Sequence, residues 1–177
     1  MSTQDEPPEV CVQRHIWEGF RDCSQDRGIE IDQTKIKAIN EMPEPKTLKE
    51  LRGLQGRLAY IRRFISNLGG RCQPFSHLMK KDALFQWDEK CKNAFDSIKK
   101  YLASAPLLWA PIPGKPLVMY ITAQERSLGV MCAQEIEDCK ERELYYLSRT
   151  LVGAELNYSP MEKICLALVF AIHKFTH

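Results

Sequence analysis

The strongest pattern of apolar and polar positions in this chain is one long amphipathic helix. Thr47 and Glu50 have the spacing of a capping box, which predicts that a helix begins directly after Thr47. Apolar residues then recur at three- and four-residue steps and predict a single buried stripe. The stripe consists of Leu48, Leu51, Leu54, Leu58, Ile61 and Ile65. We expect this helix to continue to a turn at residues 69–70.

A second stripe of the same helix carries polar and small residues. It contains Arg52, Gly56, Tyr60 and Arg63. The internal glycines Gly53 and Gly56 cost a helix about 1 kcal/mol each. Glycines beside arginines indicate that a ligand approaches the helix backbone closely, and a nucleic-acid strand is the natural candidate. The alternative is an ordinary amphipathic helix with a solvated basic face.

Shorter patterns predict the remaining elements. Helices are expected over residues 34–41, 73–80 and 88–102 and after Asn157 or Ser159, and strands over residues 29–31, 117–122, 129–134 and 143–148. Four prolines and a glycine in residues 106–116 predict an exposed linker and a domain boundary. Because no further strand signal follows the final helix to complete the sheet, we expect the apolar residues 166–175 to be partly uncovered.

The net charge of +2 conceals an asymmetry along the chain. Residues 46–101 hold 13 Lys/Arg and 5 Asp/Glu, which is net +8, whereas the remainder holds 12 and 18, which is net −6. A basic segment of this kind favours contact with phosphates, although basic runs are often only solvated surface. The seven cysteines show no Cys-x-x-Cys spacing, and no signal peptide or membrane-length apolar run is present. These features predict an intracellular protein with reduced thiols, in either the cytoplasm or the nucleus.

The order of blocks along the chain resembles the reverse transcriptases of gypsy-type long-terminal-repeat retrotransposons and retroviruses. The resemblance begins with the helix of residues 47–64, continues through residues 72–81, 85–87 and 94–99, and covers about residues 28–177. It implies that Arg52, Gly56 and Tyr60 belong to the thumb helix, which follows the minor groove of the template–primer duplex. The implied partner is therefore an RNA–DNA hybrid or another duplex.

The second half resembles the start of an RNase H domain. Residues 158–175 are similar to the block that carries the helical catalytic glutamate of those enzymes, which would be Glu162. The family binds Mg²⁺ with several carboxylates, but Thr122 stands where the first catalytic aspartate is expected. We expect Thr122 on the first strand of the sheet, facing the helix that carries Glu162. We therefore expect Glu162 to be vestigial, a residue of the first helical turn near the positive end of the helix dipole. His173 and His177 are four residues apart, but no third ligand accompanies them, so no metal site is predicted.

Residues 1–27 are expected to be a degraded or disordered leader. The resemblance places the primer-grip hairpin there, and residues 12–20 can be written in codons that restore its motif when read one base later. A frameshifted relic is therefore a hypothesis. The paired aspartates of the polymerase palm are absent.

The predicted fold class is α/β (α+β), with a helical thumb/connection segment followed by a truncated RNase H-like mixed sheet with one packed helix. The predicted division is residues 1–27, 28–105, 106–116 and 117–177. The resemblance implies RNA-directed DNA polymerase and RNA–DNA hybrid ribonuclease as the parent activities, and we expect this chain to be inactive on its own. The alternatives are a domesticated nucleic-acid-binding module and a structural or interaction protein without a nucleic-acid role.

Overall fold

A computed structural model describes residues 28–80, 83–136 and 140–176. The chain first forms helices and then a three-stranded sheet, which the final helix covers on one face. The helices are α1 (Gln33–Asn40), α2 (Leu48–Tyr60), α3 (Leu68–Arg71), α4 (Gln73–Ser76), α5 (Glu89–Ala103) and α6 (Pro160–Thr176). The strands are β1 (Val118–Ala123), β2 (Ser127–Glu135) and β3 (Glu141–Thr150). Short 3₁₀ turns lie at Arg62–Phe64, His77–Met79 and Gly153–Asn157.

Three helices begin near their predicted starts, each directly after a residue whose side chain caps it. The side chains of Asp32, Thr47 and Asp88 accept hydrogen bonds from the backbone N–H groups of Thr34, Glu50 and Cys91. Each bond satisfies a donor that the first helical turn leaves without an intrahelical partner. Local side-chain chemistry therefore sets these three starts.

The prediction that the long helix continues to residues 69–70 is wrong. Helix α2 ends at Tyr60, where Ile61 leaves helical geometry with φ −103° and ψ 12°. After the 3₁₀ turn, Asn67 adopts a left-handed conformation with φ 48° and caps the separate short helix α3. Residues 69–70 therefore lie within a helix and not at a turn. Ile61 and Ile65 are nevertheless buried, as their spacing indicated.

The sheet is antiparallel, with strand order β1-β2-β3. Thr122 pairs with Gly129, and Met131 pairs with Tyr146. These strands confirm the three predicted ones and, together with the helices, the α/β fold class. The predicted strand at residues 29–31 is reduced to an isolated bridge between Ile29 and Leu108.

The helices and the sheet share one hydrophobic core. The largest buried cluster contains Leu54 and Phe95 from the helices and also Tyr146 from β3, and Met131 of β2 packs against it. A second cluster joins the opposite face of the sheet to Ala171 and Phe175 of α6. The helical segment therefore packs against one face of the sheet while α6 covers the other.

The connection at residues 106–116 has little regular structure, but it is not the exposed tether that its prolines predict. Leu108 is fully buried in the helical cluster, and Ala110 packs into the second cluster. The buried Gln134 side-chain amide donates to the carbonyls of Ile112 and Lys115 at 3.0 and 2.9 Å. Burial of apolar side chains and these hydrogen bonds hold most of the segment against the sheet.

Helix α6 is partly uncovered, as expected. Ala167, Ala171 and Phe175 are buried against the sheet, whereas Leu168 and Val169 are exposed on the outer side. No helix within residues 28–80, 83–136 and 140–176 is both long and apolar enough to cross a membrane. The expectations for residues 1–27, including the frameshifted hairpin, lie outside the described residues.

Candidate nucleic-acid interface

The exposed side of α2 carries the predicted interface residues. Leu51, Leu54 and Leu58 are buried on the inner side, because they recur at helical spacing. Arg52 and Gly56 are exposed on the other side, and Tyr60 exposes 73% of its surface. Helical geometry aligns residues four apart, so these three form one continuous stripe.

Arg63 lies just beyond the helix and belongs to the stripe only in part. It sits in the 3₁₀ turn, is half-buried, and places its guanidinium carbon 5.1 Å from the ring centroid of Phe64. The end of α2 at Tyr60 is the reason that Arg63 departs from the predicted helical position.

Neither glycine of α2 is required by packing inside the protein. A Cβ atom built at Gly53 or Gly56 would meet no atom within 4 Å. By contrast, a Cβ at Gly69 would come within 2.8 Å of the Arg149 carbonyl carbon, so that glycine allows two backbone segments to approach. The α2 glycines therefore leave an open strip of helix backbone between Arg52 and Tyr60.

Helix α1 adds a cation that the sequence pattern did not identify. The Lys35 ammonium lies 5.2 Å from the Tyr60 ring centroid. Arg57 donates from Nη1 to the Ala38 carbonyl at 2.7 Å, which fastens α1 beside α2. Lys35 belongs to a different helix, so the apolar and polar periodicity of α2 does not include it. Only the packing of α1 against α2 shows that Lys35 extends the basic stripe.

Most aromatic residues near the basic segment are structural. Phe64 and Phe75 are buried, and Trp87 stacks against Phe75 with ring centroids 5.8 Å apart. The Trp87 Nε1 donor is buried without a hydrogen-bond acceptor among the described residues. Unlike Phe64, Phe75 and Trp87, Tyr60 lies on the exposed stripe of α2.

Thr122 lies on the first strand of the sheet, as expected, but not on the side that faces α6. Its neighbours Ile121 and Ala123 pack with the cluster that includes Ala167 of α6. Side chains alternate along a strand, so Thr122 points to the opposite face. A Cβ built at its cross-strand partner Gly129 would contact Thr122 Cγ2 at 3.3 Å and Asn67 Cβ at 4.0 Å. The expectation that Thr122 faces the helix of Glu162 is therefore wrong.

Glu162 caps its own helix. Its carboxylate accepts a hydrogen bond from the Ser159 N–H at 2.7 Å, and the Ser159 hydroxyl accepts from the Glu162 N–H at 3.4 Å. These two bonds form a capping box. The backbone hydrogen bond from Ser159 lowers the pKa of the Glu162 carboxyl, with a further contribution from the Ser159 side chain. The geometry is that of an exposed residue in the first helical turn.

The carboxylates do not fit the Mg²⁺ ions that the resemblance implies. Thr122 supplies a neutral hydroxyl on one face of the sheet, while Glu162 is engaged as a cap on the helix that covers the other face. Two-metal catalysis needs several carboxylates that converge. No group of three His, Cys, Asp or Glu side chains in the described part of the chain is arranged to hold a metal. Of the His173 and His177 pair, His177 lies outside the described residues.

The buried thiols of the described segments are unsuited to nucleophilic chemistry. Cys72, Cys91, Cys132 and Cys165 are all free. Burial raises the pKa of the Cys72 and Cys132 thiols to about 12, so both stay protonated at neutral pH. Cys165 is exposed on the outer side of α6.

Comparison with known proteins identifies relatives of this region. A family model described as the RNase H-like domain found in reverse transcriptase matches residues 87–177, just over half of the chain. The retrovirus-related Pol polyprotein from transposon opus of Drosophila melanogaster is 29% identical over 156 residues, covering 82% of this chain and 16% of that polyprotein. The transposon Tf2-3 polyprotein of Schizosaccharomyces pombe is 30% identical over 164 residues, covering 92% of this chain and 12% of that polyprotein. The chain thus spans a small part of these relatives.

Two solved structures show the same fold. The foamy viral protease-reverse transcriptase dRH in complex with double-stranded DNA superposes with a TM-score of 0.71 at 21% identity, over 83% of this chain and 26% of that one. The foamy viral protease-reverse transcriptase in complex with an RNA/DNA hybrid superposes with a TM-score of 0.68 at 21% identity, over 81% and 20%. The arrangement of helices and sheet described above is therefore found in these viral proteins.

Proposed function

This chain belongs to the family of RNase H-like domains found in reverse transcriptases, and from that premise we propose that it is a thumb-to-RNase H segment of a gypsy-type retrotransposon Pol polyprotein that binds duplex nucleic acid through α2. In this proposal residues 28–105 form the thumb/connection part and residues 117–177 the start of the RNase H-like part. The bound ligand is an RNA–DNA hybrid or another duplex. The free thiols suit an intracellular protein.

The observation that carries this proposal is the pair of open glycines on α2. A glycine inside a helix costs about 1 kcal/mol relative to alanine, and neither Gly53 nor Gly56 has an internal neighbour that requires it. Arg52 on one side and Tyr60 with Lys35 on the other supply a cation, an aromatic edge and a second cation. A sugar–phosphate backbone resting on the glycine strip would meet these groups together.

The test is the salt dependence of binding to a short RNA–DNA hybrid. Changing Arg52 and Arg63 to alanine should weaken binding and reduce the slope of log K against log salt by up to about 2, if each cation contacts one phosphate. Arg126→Ala, which removes an exposed arginine from the turn between β1 and β2, is the matched control and should leave the slope unchanged. Equal slopes for all three proteins would remove Arg52 and Arg63 from the interface.

We further propose that the chain does not cleave the hybrid. The reaction needs converging carboxylates, whereas Glu162 is committed to its capping box and Thr122 faces away from α6. Thr122→Asp alone should therefore not produce Mg²⁺-dependent cleavage. Cleavage by the purified protein that disappears in Glu162→Gln would contradict this part of the proposal and leave the binding experiment unaffected.

A further inference from the structure

A cleft of about 470 Å³ lies between the helical segment and α6, along one edge of the sheet. One wall contains Gln55, Leu58 and Arg62, and the other contains Phe170 and Lys174. The base is formed by the consecutive residues 145–150 of β3. Its volume is within the range of about 300–1,000 Å³ that is usual for ligand sites in proteins. None of the predicted interface residues on α2 lines it.

The charges in this cleft favour an anionic ligand. Its lining includes three cations, Arg62, Arg149 and Lys174, and no Asp or Glu. Arg149 is already paired with Glu155 through two hydrogen bonds of 2.7 and 2.8 Å. The Arg62 and Lys174 side chains are both exposed, and neither has a hydrogen-bond or ion-pair partner among the described residues. Two uncompensated cations therefore lie on opposite walls of the cleft.

The base of the cleft is the edge of a sheet. Strand β3 is hydrogen-bonded to β2 on one side and has no strand partner on its other side within residues 28–80, 83–136 and 140–176. An edge strand presents alternating N–H and C=O groups that can pair with another extended chain. Six residues of β3 span about 20 Å, at about 3.3 Å per residue. The Thr150 carbonyl at the end of this edge already accepts a hydrogen bond from Arg149 Nη1 at 3.2 Å.

Side chains of β3 divide between the two walls. The Tyr145 ring packs edge-on against Phe175 of α6 at 6.2 Å, whereas the Ser148 hydroxyl accepts a hydrogen bond from the Gly69 N–H of α3 at 3.0 Å. A chain added to this edge would direct its own side chains alternately toward the same two walls. One set would approach Arg62 and the other Lys174.

We propose that this cleft binds an extended acidic peptide, which pairs with β3 as an added strand and places carboxylates against Arg62 and Lys174. A peptide fits better than a single nucleic-acid strand because the edge offers both donors and acceptors. Phosphate oxygens only accept hydrogen bonds, so a phosphate backbone lying along the edge would offer no donors to its C=O groups. The proposal is independent of duplex binding by α2.

The probe is a fluorescent six-residue peptide of sequence Glu-Val-Glu-Glu-Val-Glu, which carries carboxylates on both faces of an extended chain. We expect saturable binding that weakens about two- to fivefold in Arg62→Ala and in Lys174→Ala, the range of exposed ion pairs. Arg126→Ala removes an exposed cation outside the cleft, and it should leave the affinity unchanged.

Two peptides methylated on alternate backbone nitrogens test the strand pairing directly. Methylation of the nitrogens that face β3 should reduce binding at least tenfold, while methylation of the other set should be tolerated. Equal losses with both peptides would overturn the proposal. It would also be overturned if a ten-residue oligothymidylate bound with the same dependence on Arg62 and Lys174 while the acidic peptide did not bind.

Discussion

At the scale of single residues, the glycines show that one residue type serves two purposes in this chain. Gly69 lets helix α3 approach the backbone of β3, whereas Gly56 faces open space. Gly56→Ala should therefore raise the free energy of unfolding by up to about 1 kcal/mol, through higher helix propensity. The same change should weaken hybrid binding, because a methyl group would obstruct the open strip. Denaturant unfolding and a binding titration on one preparation measure both effects.

Gly69→Ala is the informative comparison for this prediction. Its Cβ would be 2.8 Å from a backbone carbon that cannot move aside, so this variant should lose stability instead of gaining it. If Gly56→Ala were neutral for binding, the glycine strip would not be a contact surface. If both variants were equally stable, a methyl group at residue 69 would cause no clash, and α3 would not approach the β3 backbone closely.

Glu155 gives a prediction about pH. Its hydrogen bonds from Arg149, and a further one from the Val152 N–H, lower the pKa of the carboxyl from 4.5 to about 2. A carboxyl whose pKa is lower in the folded state than in the unfolded state stabilises the fold at pH values above its unfolded-state pKa. That contribution to the free energy of unfolding is lost as the pH falls toward 2. Glu155→Gln should therefore destabilise the protein by about 1 kcal/mol at pH 7, the upper end for partly exposed pairs, and much less near pH 2.

Thermal unfolding of the two proteins between pH 7 and pH 2 checks this prediction. Glu44→Gln, which removes the carboxylate of the more exposed 3.4 Å ion pair with Lys92, is the matched control and should change little. A stability difference between wild type and Glu155→Gln that stays constant over this pH range would show that the carboxylate charge does not contribute.

At the scale of elements, the short helix α3 joins the helical segment to the sheet through Asn67. Its side chain donates to Gln124 Oε1 at 2.9 Å, and its Oδ1 accepts from the Ser127 hydroxyl and the Gly70 N–H, both at 3.2 Å. Asn67→Ala should cost about 2 kcal/mol, since it removes these bonds and forces alanine into a left-handed conformation.

Asn67→Gly separates the two causes, because glycine adopts this conformation without strain. It should lose less stability than Asn67→Ala, as measured by denaturant midpoints. Equal losses in the two variants would show that backbone strain contributes nothing at this position.

The elements also show which parts of the fold the sequence could predict. Helices α1, α2 and α5 begin where they were expected, because Asp32, Thr47 and Asp88 act on neighbours two or three residues away. The end of α2 and the left-handed Asn67 were missed, because contacts with the distant residues Gln124 and Ser127 favour that geometry. The prediction that residues 106–116 are exposed was wrong for the same reason. Prolines indicate an irregular backbone, but they do not show that distant residues bury Leu108 and Ala110.

The candidate interface divides in a similar way. Arg52, Gly56 and Tyr60 follow from helical periodicity alone and are exposed together on α2. The contribution of Lys35 depends on how α1 packs against α2, and the orientation of Thr122 depends on which face of the sheet α6 covers. The spacing of residues along the chain determines neither of these two features, so neither could be predicted without the tertiary structure.

At the scale of the whole molecule, the shared core predicts a single unfolding transition. Tyr146 of β3 is buried in the same cluster as Leu54 and Phe95 of the helices. Loss of the helical packing would therefore expose the sheet at the same time. Circular dichroism and tryptophan fluorescence should give coincident midpoints, and Leu54→Ala should lower both together. Two separate transitions would show that residues 28–105 and 117–177 unfold as independent domains.

The same shared core limits how related polyproteins can exchange segments by recombination. A recombination joint within residues 106–116 looks suitable in sequence, because it falls between two recognisable blocks. In such a chimera, residues of a different protein would replace Met131 and Tyr146 in contact with the helical cluster. Another would replace Gln124 as the hydrogen-bond partner of Asn67. Compatible ancestry of both halves is therefore required for a folded product. Over evolutionary time, we expect these two halves to be inherited together.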